Sequence, residues 1–438
     1  MNKNIVLVWV FIIAFGGFLF GFDTAVISGA EKAVQQNWNL SEYQHGLTMS
    51  IALIGTVVGA AIGAWPSDVF GRKPTLFIVA ILYFFSGLGT ALTINWELFL
   101  VFRFLGGVGV GISSVAAPIY ISEISPAKSR GKLVGLFQLN IVIGILTAYL
   151  SNYLIGQNEN ESWRWMLGVQ VIPSIIFFIL LFFIPESPRW LIIAKNKINK
   201  AEEILIKINP VGYKDDLDSI VNNQVFHSSH SKLFEKSHRK LIMLAIVFAV
   251  FNQVSGINAI IFYAPRVFEM AGLGAQNSLL STVGLGTVNF ISTLIAINLI
   301  DRIGRKRIMV IGTIGVIVSL GIVSYFFLTE SSYNLVVPLL LMVYIAFFAI
   351  SQGAVIWVFI SEIFPNSIRA KGQTLGSLTH WVMAAVITFL FPIVLQSIGA
   401  GFTFLSFMVF MIIQLWFIIK IMPETYGKSL ESIQETIT

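Results

Sequence analysis

The stretch Asp68-Val69-Phe70-Gly71-Arg72-Lys73 returns 233 residues later as Asp301-Arg302-Ile303-Gly304-Arg305-Lys306. Each copy is a short charged segment between two long apolar runs. Internal repetition at a fixed spacing is the sequence signature of a duplicated architecture. If the two halves of the chain are copies, other motifs should repeat at nearly the same spacing.

Two further motifs repeat in the same order, at offsets of 239 and 238 residues. They are Ile121-Ser122-Glu123-Ile124 and Ile360-Ser361-Glu362-Ile363, each with an arginine seven residues after its glutamate (Arg130 and Arg369), and Pro185-Glu186 and Pro423-Glu424. Three signatures at nearly one spacing indicate two related halves arranged as parallel repeats. Such halves commonly enclose a substrate site near the midplane of a membrane.

The composition places most of the chain in lipid. Of its 438 residues, 56% are apolar and 11% are charged, whereas soluble domains carry about 25% charged residues. A membrane span needs about 20 mostly apolar residues. Such runs lie at about 5–28, 46–66, 74–94, 98–121, 133–154, 165–184, 240–264, 278–300, 308–328, 334–360, 372–396 and 400–422. We therefore predict an all-α membrane protein with twelve transmembrane helices in two pseudo-symmetric six-helix halves.

The same pattern predicts the domain boundaries. Residues 1–184 form the first six-helix half, 239–422 the second, and 423–438 a tail. The polar segment 185–238 is a linker in which apolar residues at helical spacing, as in Ala201-Glu202-Glu203-Ile204-Leu205-Ile206, predict short amphipathic helices. Gly256 and Gly353 stand inside predicted spans and are expected to interrupt them.

The basic residues predict the orientation in the membrane. With the N-terminus in the cytoplasm, 24 of the 28 Lys and Arg fall in cytoplasmic segments, in agreement with the positive-inside rule. Both termini and the linker are therefore expected inside. Because the basic residues lie in loops between spans, the net charge of +6 does not indicate a nucleic-acid partner. The chain has no cysteine, so disulfides and thiolate metal sites are excluded.

Two charged residues lie within the predicted spans. Asp23 follows a long apolar run, and Arg103 opens the fourth span. Ionisable residues inside a membrane are costly and usually functional. A carboxyl group between low dielectric, which favours protonation, and a nearby guanidinium, which favours ionisation, can bind a proton on one side and release it on the other. The alternatives are a static structural pair, or an Asp23 that merely reaches the outer interface.

Neutral polar side chains recur on the predicted core helices. They are Gln138, Asn140, Asn252, Gln253, Asn258, Asn289, Gln352, Trp357, His380 and Trp381. Amides both donate and accept hydrogen bonds, which matches hydroxyl groups without a need for charge. For any single amide, hydrogen bonding between helices is the alternative role. Several amides accompanied by two tryptophans favour a cavity for a neutral polyhydroxy ligand.

The duplicated charges are expected to form an ion-pair network that closes the cytoplasmic face. Its members are Asp68, Arg72, Glu123, Arg130, Glu186, Arg189, Asp301, Arg305, Glu362, Arg369 and Glu424. The alternative is that short loops carry basic residues only to fix their side of the membrane. Duplication of the acidic positions as well as the basic ones favours the network.

These motifs resemble the sugar porter family of the major facilitator superfamily over essentially the whole chain. The resemblance rests on the stretch 17–29 (GFLFGFDTAVISG), Pro185-Glu186-Ser187-Pro188-Arg189-Trp190, Gln253-Val254-Ser255-Gly256-Ile257-Asn258, and Pro423-Glu424-Thr425 with Gly427-Lys428-Ser429-Leu430. It implies a monosaccharide site between the halves and alternating access.

The resemblance also implies residue roles. Proton-coupled members carry an aspartate at the Asp23 position, and Arg103 matches its partner. Gln138, Gln253, Asn258, Asn289, Trp357 and Trp381 match sugar-contacting positions, and Phe20 matches a residue that lines the cavity. The chain departs from the family pattern at Asn252, where Gln is common, and at His380, where Asn or Gln is usual. These departures leave the particular sugar open.

The predicted function is therefore import of a monosaccharide, a hexose or pentose, with a proton, by a monomer in a bacterial inner membrane. No cofactor, metal or enzymatic activity is expected, because the sequence shows no metal-ligand cluster and no nucleophile–base arrangement. A facilitative sugar or polyol uniporter of the same fold is the nearest alternative. A transport-inactive sugar sensor is a more distant one.

Overall fold

The computed structural model describes residues 3–126, 129–157, 162–223, 233–235, 238–329, 335–365 and 368–426, without the side chains of Lys3 and Asp301. The motif Gly427-Lys428-Ser429-Leu430 lies outside the described residues, as does the rest of the predicted tail after residue 426.

The described residues are helical almost throughout. Before the linker lie α1 (Lys3–Asn37), α2 (Glu42–Ile62), α3 (Ala64–Val69), α4 (Arg72–Leu92), α5 (Trp96–Ile124), α6 (Arg130–Ile155), α7 (Ser162–Gly168) and α8 (Val171–Leu180), which a 3-10 turn extends over Leu181–Phe183. The linker contains α9 (Pro188–Ile193), α10 (Ile198–Ile208) and α11 (Tyr213–Asn223). After it lie α12 (Arg239–Val254), α13 (Ile257–Met270), α14 (Ala275–Ile303), α15 (Arg305–Leu328), α16 (Val336–Ile350), α17 (Gln352–Ile363) and α18 (Arg369–Lys420).

These helices provide twelve membrane spans. Among the described residues, eleven helical stretches are long and apolar enough to cross a membrane. The last of them, α18, has 52 residues, which at 1.5 Å per residue extend over more than twice the ~30 Å hydrocarbon core. Gly399 breaks it with φ 79° and ψ 166°, so α18 forms two spans. Six spans then precede the linker and six follow it, which confirms the predicted fold class.

Two of the spans are interrupted near their middle. Gly256, at φ 86°, separates α12 from α13 as predicted. The other break falls at Ser351 rather than at Gly353, which lies within α17. At Ser351 the backbone N–H is shared between the carbonyl oxygens of Phe347 and Phe348 at 3.2 Å each. The regular backbone hydrogen bonding of α16 therefore ends at this residue, and that of α17 begins after it.

Residue contacts divide the chain into two compact units, called unit 1 and unit 2 below. Unit 1 comprises Met1–Thr24, Gly55–Ile145 and Leu167–His230, and unit 2 comprises Ala25–Ile54, Leu146–Met166 and Ser231–Thr438. Unit 2 thus joins the second-half helices to the adjoining ends of α1, α2 and α6. These units are defined by contacts in space and not by the repeated motifs. They therefore do not test the domain boundaries predicted at 184, 238 and 422, which stay predictions.

Glycines let the helices of unit 1 approach one another closely. A Cβ atom at Gly21 of α1 would overlap the backbone carbonyl of Ile141 on α6, and one at Gly144 of α6 would overlap the carbonyl of Phe18 on α1. Small residues at such crossings replace side-chain contacts with backbone packing, which is how helices associate without a hydrophobic driving force in lipid. The crossing fixes α1, and with it Asp23, against its neighbours.

We expect Gly21→Ala to destabilise the protein by about 3 kcal/mol, because the added methyl group meets a backbone atom that cannot rotate away. Gly135→Ala on α6 is the matched control, since a Cβ there has no neighbour within 4 Å. Thermal unfolding in detergent measures both. Equal unfolding temperatures for Gly21→Ala and the wild type would contradict the close α1–α6 crossing.

Candidate functional site

A buried ion pair lies in unit 1. Arg103 of α5 donates from Nη1 to Asp23 Oδ1 of α1 at 3.0 Å and from Nη2 to the Asp23 carbonyl at 3.4 Å. Both side chains are 1% exposed. Gln170, between α7 and α8, donates from Nε2 to the same Asp23 Oδ1 at 3.0 Å. The structure therefore brings together the two charged residues that the sequence placed inside the spans, and adds an amide.

The two oxygens of the Asp23 carboxyl group differ in their surroundings. Oδ1 receives both donors, whereas among the described residues no partner reaches the buried Oδ2. Two buried hydroxyl groups on α4, those of Tyr83 and Ser86, also lack partners within this part of the chain. A methyl group at Gly106 would overlap Ser86 Oγ and lie 3.2 Å from Asp23 Oδ1, so Ser86 and Asp23 flank the same gap. Within the described part of the chain, Oδ2 is thus the oxygen of this carboxyl group that makes no hydrogen bond.

Gln170 was not identified from the sequence. It is a single amide in an apolar run, and a single amide is most often a helix-packing group. Its position in the middle of a span was the available signal. Only the packing of α8 against α4 and the turn between α7 and α8 direct it at Asp23.

A second polar cluster lies in unit 2, around the break in the seventh span. The positive φ of Gly256 turns the chain so that Asn258, at the start of α13, donates to Gln253 Oε1 on α12 at 2.6 Å. Gln253 Nε2 lies 3.1 Å from Asn252 Oδ1 and 3.1 Å from both ring nitrogens of His380. Gln253 is fully buried, and its amide is occupied at both ends. Since Gln253 donates, His380 must present an unprotonated nitrogen to it.

Two tryptophans flank His380. Its ring centroid lies 4.9 Å from that of Trp357 on α17 and 4.9 Å from that of Trp381 on α18, and the second pair is edge-on at 90°. Asn258 and His380 are each 8% exposed, and Trp357 is half-buried. The cluster therefore combines amide donors and acceptors with aromatic faces, as a neutral hydroxylated ligand requires.

The other predicted ligand residues are Asn289, Phe20, Gln138 and Asn140. Asn289 is half-buried on α14 of unit 2. Phe20 and Gln138 belong to unit 1, where Phe20 is buried and Gln138 half-buried. Asn140 donates to the carbonyl of Leu136 in its own helix at 2.9 Å, which is the packing role that the sequence left open for single amides.

The duplicated charges form one cluster in each unit. In unit 1, Arg72 makes a two-bond pair with Glu123, at 2.9 Å for each bond, and a 3.1 Å bond to Asp68. In unit 2, Arg305 bonds Glu362 at 2.9 Å. The Arg72–Glu123 pair is bidentate, which makes its geometry specific. Each cluster links the ends of the helices that carry it.

A carboxylate from the Pro-Glu motif caps the helix that follows each glycine. Glu186 accepts the backbone N–H of Arg72 at 3.0 Å, at the start of α4. Glu424 accepts the backbone N–H of Arg305 at 3.0 Å, at the start of α15. A carboxylate at a helix N-terminus satisfies free N–H groups and complements the helix dipole.

Both capped turns require glycine. Gly71 has φ 109° and Gly304 has φ 94°, and a Cβ atom at either position would overlap the capping carboxylate. At Glu186, which lies outside the spans, burial raises the pKa of the carboxyl group more than the N–H groups of Ser187, Lys73 and Arg72 lower it. The net direction is upward, so this carboxyl group takes up a proton more readily than a free glutamate.

Four residues that were predicted to belong to the cytoplasmic ion-pair network lie outside these two clusters. In the described part of the chain, Arg130 and Arg189 are exposed and outside the bonded set. Arg369 donates instead to the carbonyl of Phe364 at 3.3 Å. The side chain of Asp301 lies outside the described residues. The seven-residue spacing places Arg130 and Arg369 on the next helix, but that helix directs them away from the glutamates.

Comparisons with known proteins show which family this chain is similar to. The family model described as "Sugar (and other) transporter" matches residues 9–437. An arabinose–proton symporter of Bacillus subtilis is 37% identical over 429 residues, covering 96% of this chain and 92% of that protein. A D-xylose–proton symporter of Escherichia coli is 34% identical over 465 residues, covering 96% and 93%.

A solved structure shares the fold along its whole length. The inward-open conformation of the xylose transporter XylE from Escherichia coli superposes with a TM-score of 0.88 at 32% identity, with 100% of both chains covered. The helices and the two sites thus define a multi-pass membrane transporter of the major facilitator superfamily. Within that class, the chain belongs to the sugar transporter family.

Proposed function

We propose that this protein imports a monosaccharide, a hexose or pentose, together with a proton, across a bacterial inner membrane by alternating access. The observation that carries the proposal is the buried Asp23 carboxyl group, paired through one oxygen and free at the other. A carboxylate that only holds a structure would be expected to bond through both oxygens. Its relatives support the proposal, since they are bacterial and are named as arabinose–proton and D-xylose–proton symporters.

Proton binding at Asp23 Oδ2 would convert the pair with Arg103 from an ion pair into a neutral–cation contact. The attraction that holds α1 to α5 then weakens, because a buried salt bridge depends on both charges. Gln170 keeps donating to Oδ1 in either state, since a protonated carboxyl group retains an acceptor.

The sugar would bind at the amide cluster of unit 2. Its hydroxyl groups would replace the internal partners of Gln253 and would also bond Asn252, Asn258, Asn289 and His380. Trp357 and Trp381 would cover its apolar face. We assign Phe20 and Gln138 of unit 1 to the same ligand on the strength of the family resemblance. Each replaced hydrogen bond is exchanged for another, so specificity depends on which hydroxyl groups fit.

The two Arg–Glu clusters would close the cytoplasmic face. This orientation, with both termini inside, follows from the predominance of Lys and Arg in the segments on that side. Opening this face would break the Arg72–Glu123 and Arg305–Glu362 pairs, whose protein partners would then be replaced by water. We expect the monomer to be sufficient, because the residues proposed for the proton site, the sugar site and the two Arg–Glu clusters all belong to one chain.

The direct test is uptake of radiolabelled hexoses, pentoses and inositol into proteoliposomes, with and without an inward proton gradient. Symport is expected to give accumulation above the external concentration only with the gradient. Equilibration that ignores the gradient would overturn proton coupling and leave a uniporter. Binding without any transport would identify a sensor.

We expect Gln253→Leu to weaken sugar exchange about tenfold to a hundredfold, because unpaired polar groups in a buried site cost about 1–3 kcal/mol. Gln414→Leu is the matched control: Gln414 is also buried in unit 2, and its amide makes no bond among the described residues. The half-saturating sugar concentration in counterflow measures both. An equal effect of the two substitutions would contradict a ligand role for Gln253.

A further inference from the structure

Two prolines lie well inside helices of unit 2. Pro265 belongs to α13, and Pro392 belongs to α18. A proline has no backbone N–H, so the carbonyl group four residues before it loses its helical hydrogen bond. The carbonyl groups concerned are those of Ile261 and Thr388. An unpaired carbonyl group is costly inside a membrane, so each of them needs another donor.

In both cases a tyrosine hydroxyl group from a different helix donates to the freed carbonyl group. Tyr149 of α6 bonds the Ile261 carbonyl at 2.9 Å, and Tyr263 of α13 bonds the Thr388 carbonyl at 3.1 Å. Both tyrosines are 0% exposed, so the two bonds are shielded from water. A hydrogen bond within one helix is thereby replaced by a hydrogen bond between two helices. The proposed function uses neither hydroxyl group.

The Tyr149 bond falls on a short piece of helix with a break at each end. α13 begins after Gly256, which has φ 86°, and its backbone leaves helical geometry at Tyr263, where φ is −117° and ψ is 16°. This kink lies two residues before Pro265, as expected where a proline ring crowds the preceding turn. Residues 257–263, which we call the α13 segment, can therefore pivot at both ends.

The α13 segment carries a residue of the proposed sugar site. Asn258 lies in its first turn and donates to Gln253 Oε1 at 2.6 Å. Ile261 follows almost one turn further along the same segment. Because the Tyr149 bond ties this turn to α6, it contributes to the position of Asn258.

Proline at position 265 makes this tie breakable. In an uninterrupted helix the Ile261 carbonyl would keep a partner in its own helix during any movement against α6. Here its donor is Tyr149 on another helix, so the bond is lost when the segment moves away. The Tyr149 hydroxyl group therefore favours the docked segment over the displaced one.

We propose that Tyr149 is a positioning residue for transport, whose hydroxyl group replaces the N–H that Pro265 lacks and holds the α13 segment, with Asn258, in its docked position. Release of this hydrogen bond is a step in the movement of the segment. One net hydrogen bond corresponds to a change of about twofold to tenfold in the ratio of displaced to docked protein. The inference rests on the proposed function only for the sugar as the ligand of Asn258.

The test measures the distance between α6 and α13 in a chain that has no native cysteine. Leu154→Cys on α6 and Met270→Cys on α13 carry spin labels, since these side chains are 56% and 45% exposed. Electron paramagnetic resonance in nanodiscs without sugar gives the distribution of distances. Tyr149→Phe keeps the ring but removes the donor, and is expected to raise the ratio of longer to shorter distances about twofold to tenfold.

The decisive comparison is the same substitution in a Pro265→Ala background. Alanine supplies the missing N–H, so the Ile261 carbonyl regains a helical partner in either position of the segment. Tyr149→Phe should then leave the distance ratio unchanged. Pro265→Ala alone should raise the ratio, because the tie to α6 is no longer needed, and it covers a failure of Tyr149→Phe to fold.

Sugar exchange provides a second readout with a matched control. Tyr149→Phe should raise the half-saturating sugar concentration in counterflow about twofold to tenfold, because Asn258 is then held less firmly. In the Pro265→Ala background the same substitution should have no effect. Tyr153→Phe is the control, because it also removes a hydroxyl group from α6, at a half-buried position. It should change neither the distances nor the exchange.

Three results would overturn the role of Tyr149. They are a distance ratio that Tyr149→Phe and Pro265→Ala both leave unchanged, an equal effect of Tyr149→Phe with and without Pro265, and an equal effect of Tyr153→Phe. The second result would mean that the hydroxyl group acts only through packing. A failure of proton-driven sugar uptake would leave the distance measurements unaffected, so the two proposals fail separately.

Discussion

Asp23→Asn is expected to abolish proton-driven accumulation of sugar while exchange of sugar at equal concentrations continues. Asparagine keeps the shape of the side chain and an oxygen for Arg103 and Gln170, but it has no site for a proton. At 100 mV the membrane potential contributes about 2.3 kcal/mol per charge, or about fiftyfold accumulation. The variant should reach a ratio of about one.

Uptake and counterflow in the same proteoliposomes measure the two properties separately. Glu97→Gln is the matched control, because it also converts a carboxyl group to an amide, on the same helix as Arg103 but at an exposed position. It should accumulate sugar like the wild type. Accumulation by Asp23→Asn at the wild-type level would show that Asp23 has only a structural role.

Arg103→Gln is expected to have the largest effect on stability, because it leaves the Asp23 carboxylate buried without its cation. Removing one partner of a buried pair costs about 3–5 kcal/mol. The loss should shrink as the pH falls, since a protonated Asp23 has no charge to compensate. The free energy of unfolding, measured between pH 5 and pH 8, tests both statements.

The double variant Asp23→Asn/Arg103→Gln provides the internal control. With two neutral amides facing each other, no uncompensated charge remains, and stability should recover towards the wild type. A double-mutant cycle isolates the coupling between the two positions. Additive losses would mean that the two side chains do not depend on each other, which would contradict the pair as the basis of coupling.

The sequence predicted the features of this protein that depend on the composition and spacing of residues along the chain. Span positions follow from runs of apolar residues, and the break at Gly256 follows from one residue without a side chain. The duplication of Asp68-Val69-Phe70-Gly71-Arg72-Lys73 indicated two halves. The closeness of Asp23 and Arg103 was predictable for a similar reason, because two opposite charges inside a membrane have few other ways to be compensated.

The sequence could not predict which side chain meets which across helices. Gln170 and Ser86 are ordinary residues in apolar runs, and only helix rotation and packing bring them to Asp23. The network predicted from the duplicated motifs includes Arg130 and Arg189, yet both are exposed. Equal spacing along a chain does not fix the direction of a side chain once the helix has turned.

Glu31, which contacts both His45 and Arg266, shows the same division most clearly. Glu31, His45 and Arg266 stand far apart in sequence and belong to three helices, so no motif joins them. The sequence by itself determined the twelve spans, the duplication and the buried charge, because hydrophobicity and charge compensation act on composition and spacing. Only the tertiary structure decided which oxygen of Asp23 is free and which cations share Glu31, because hydrogen bonds between helices depend on crossings set by packing along the whole chain.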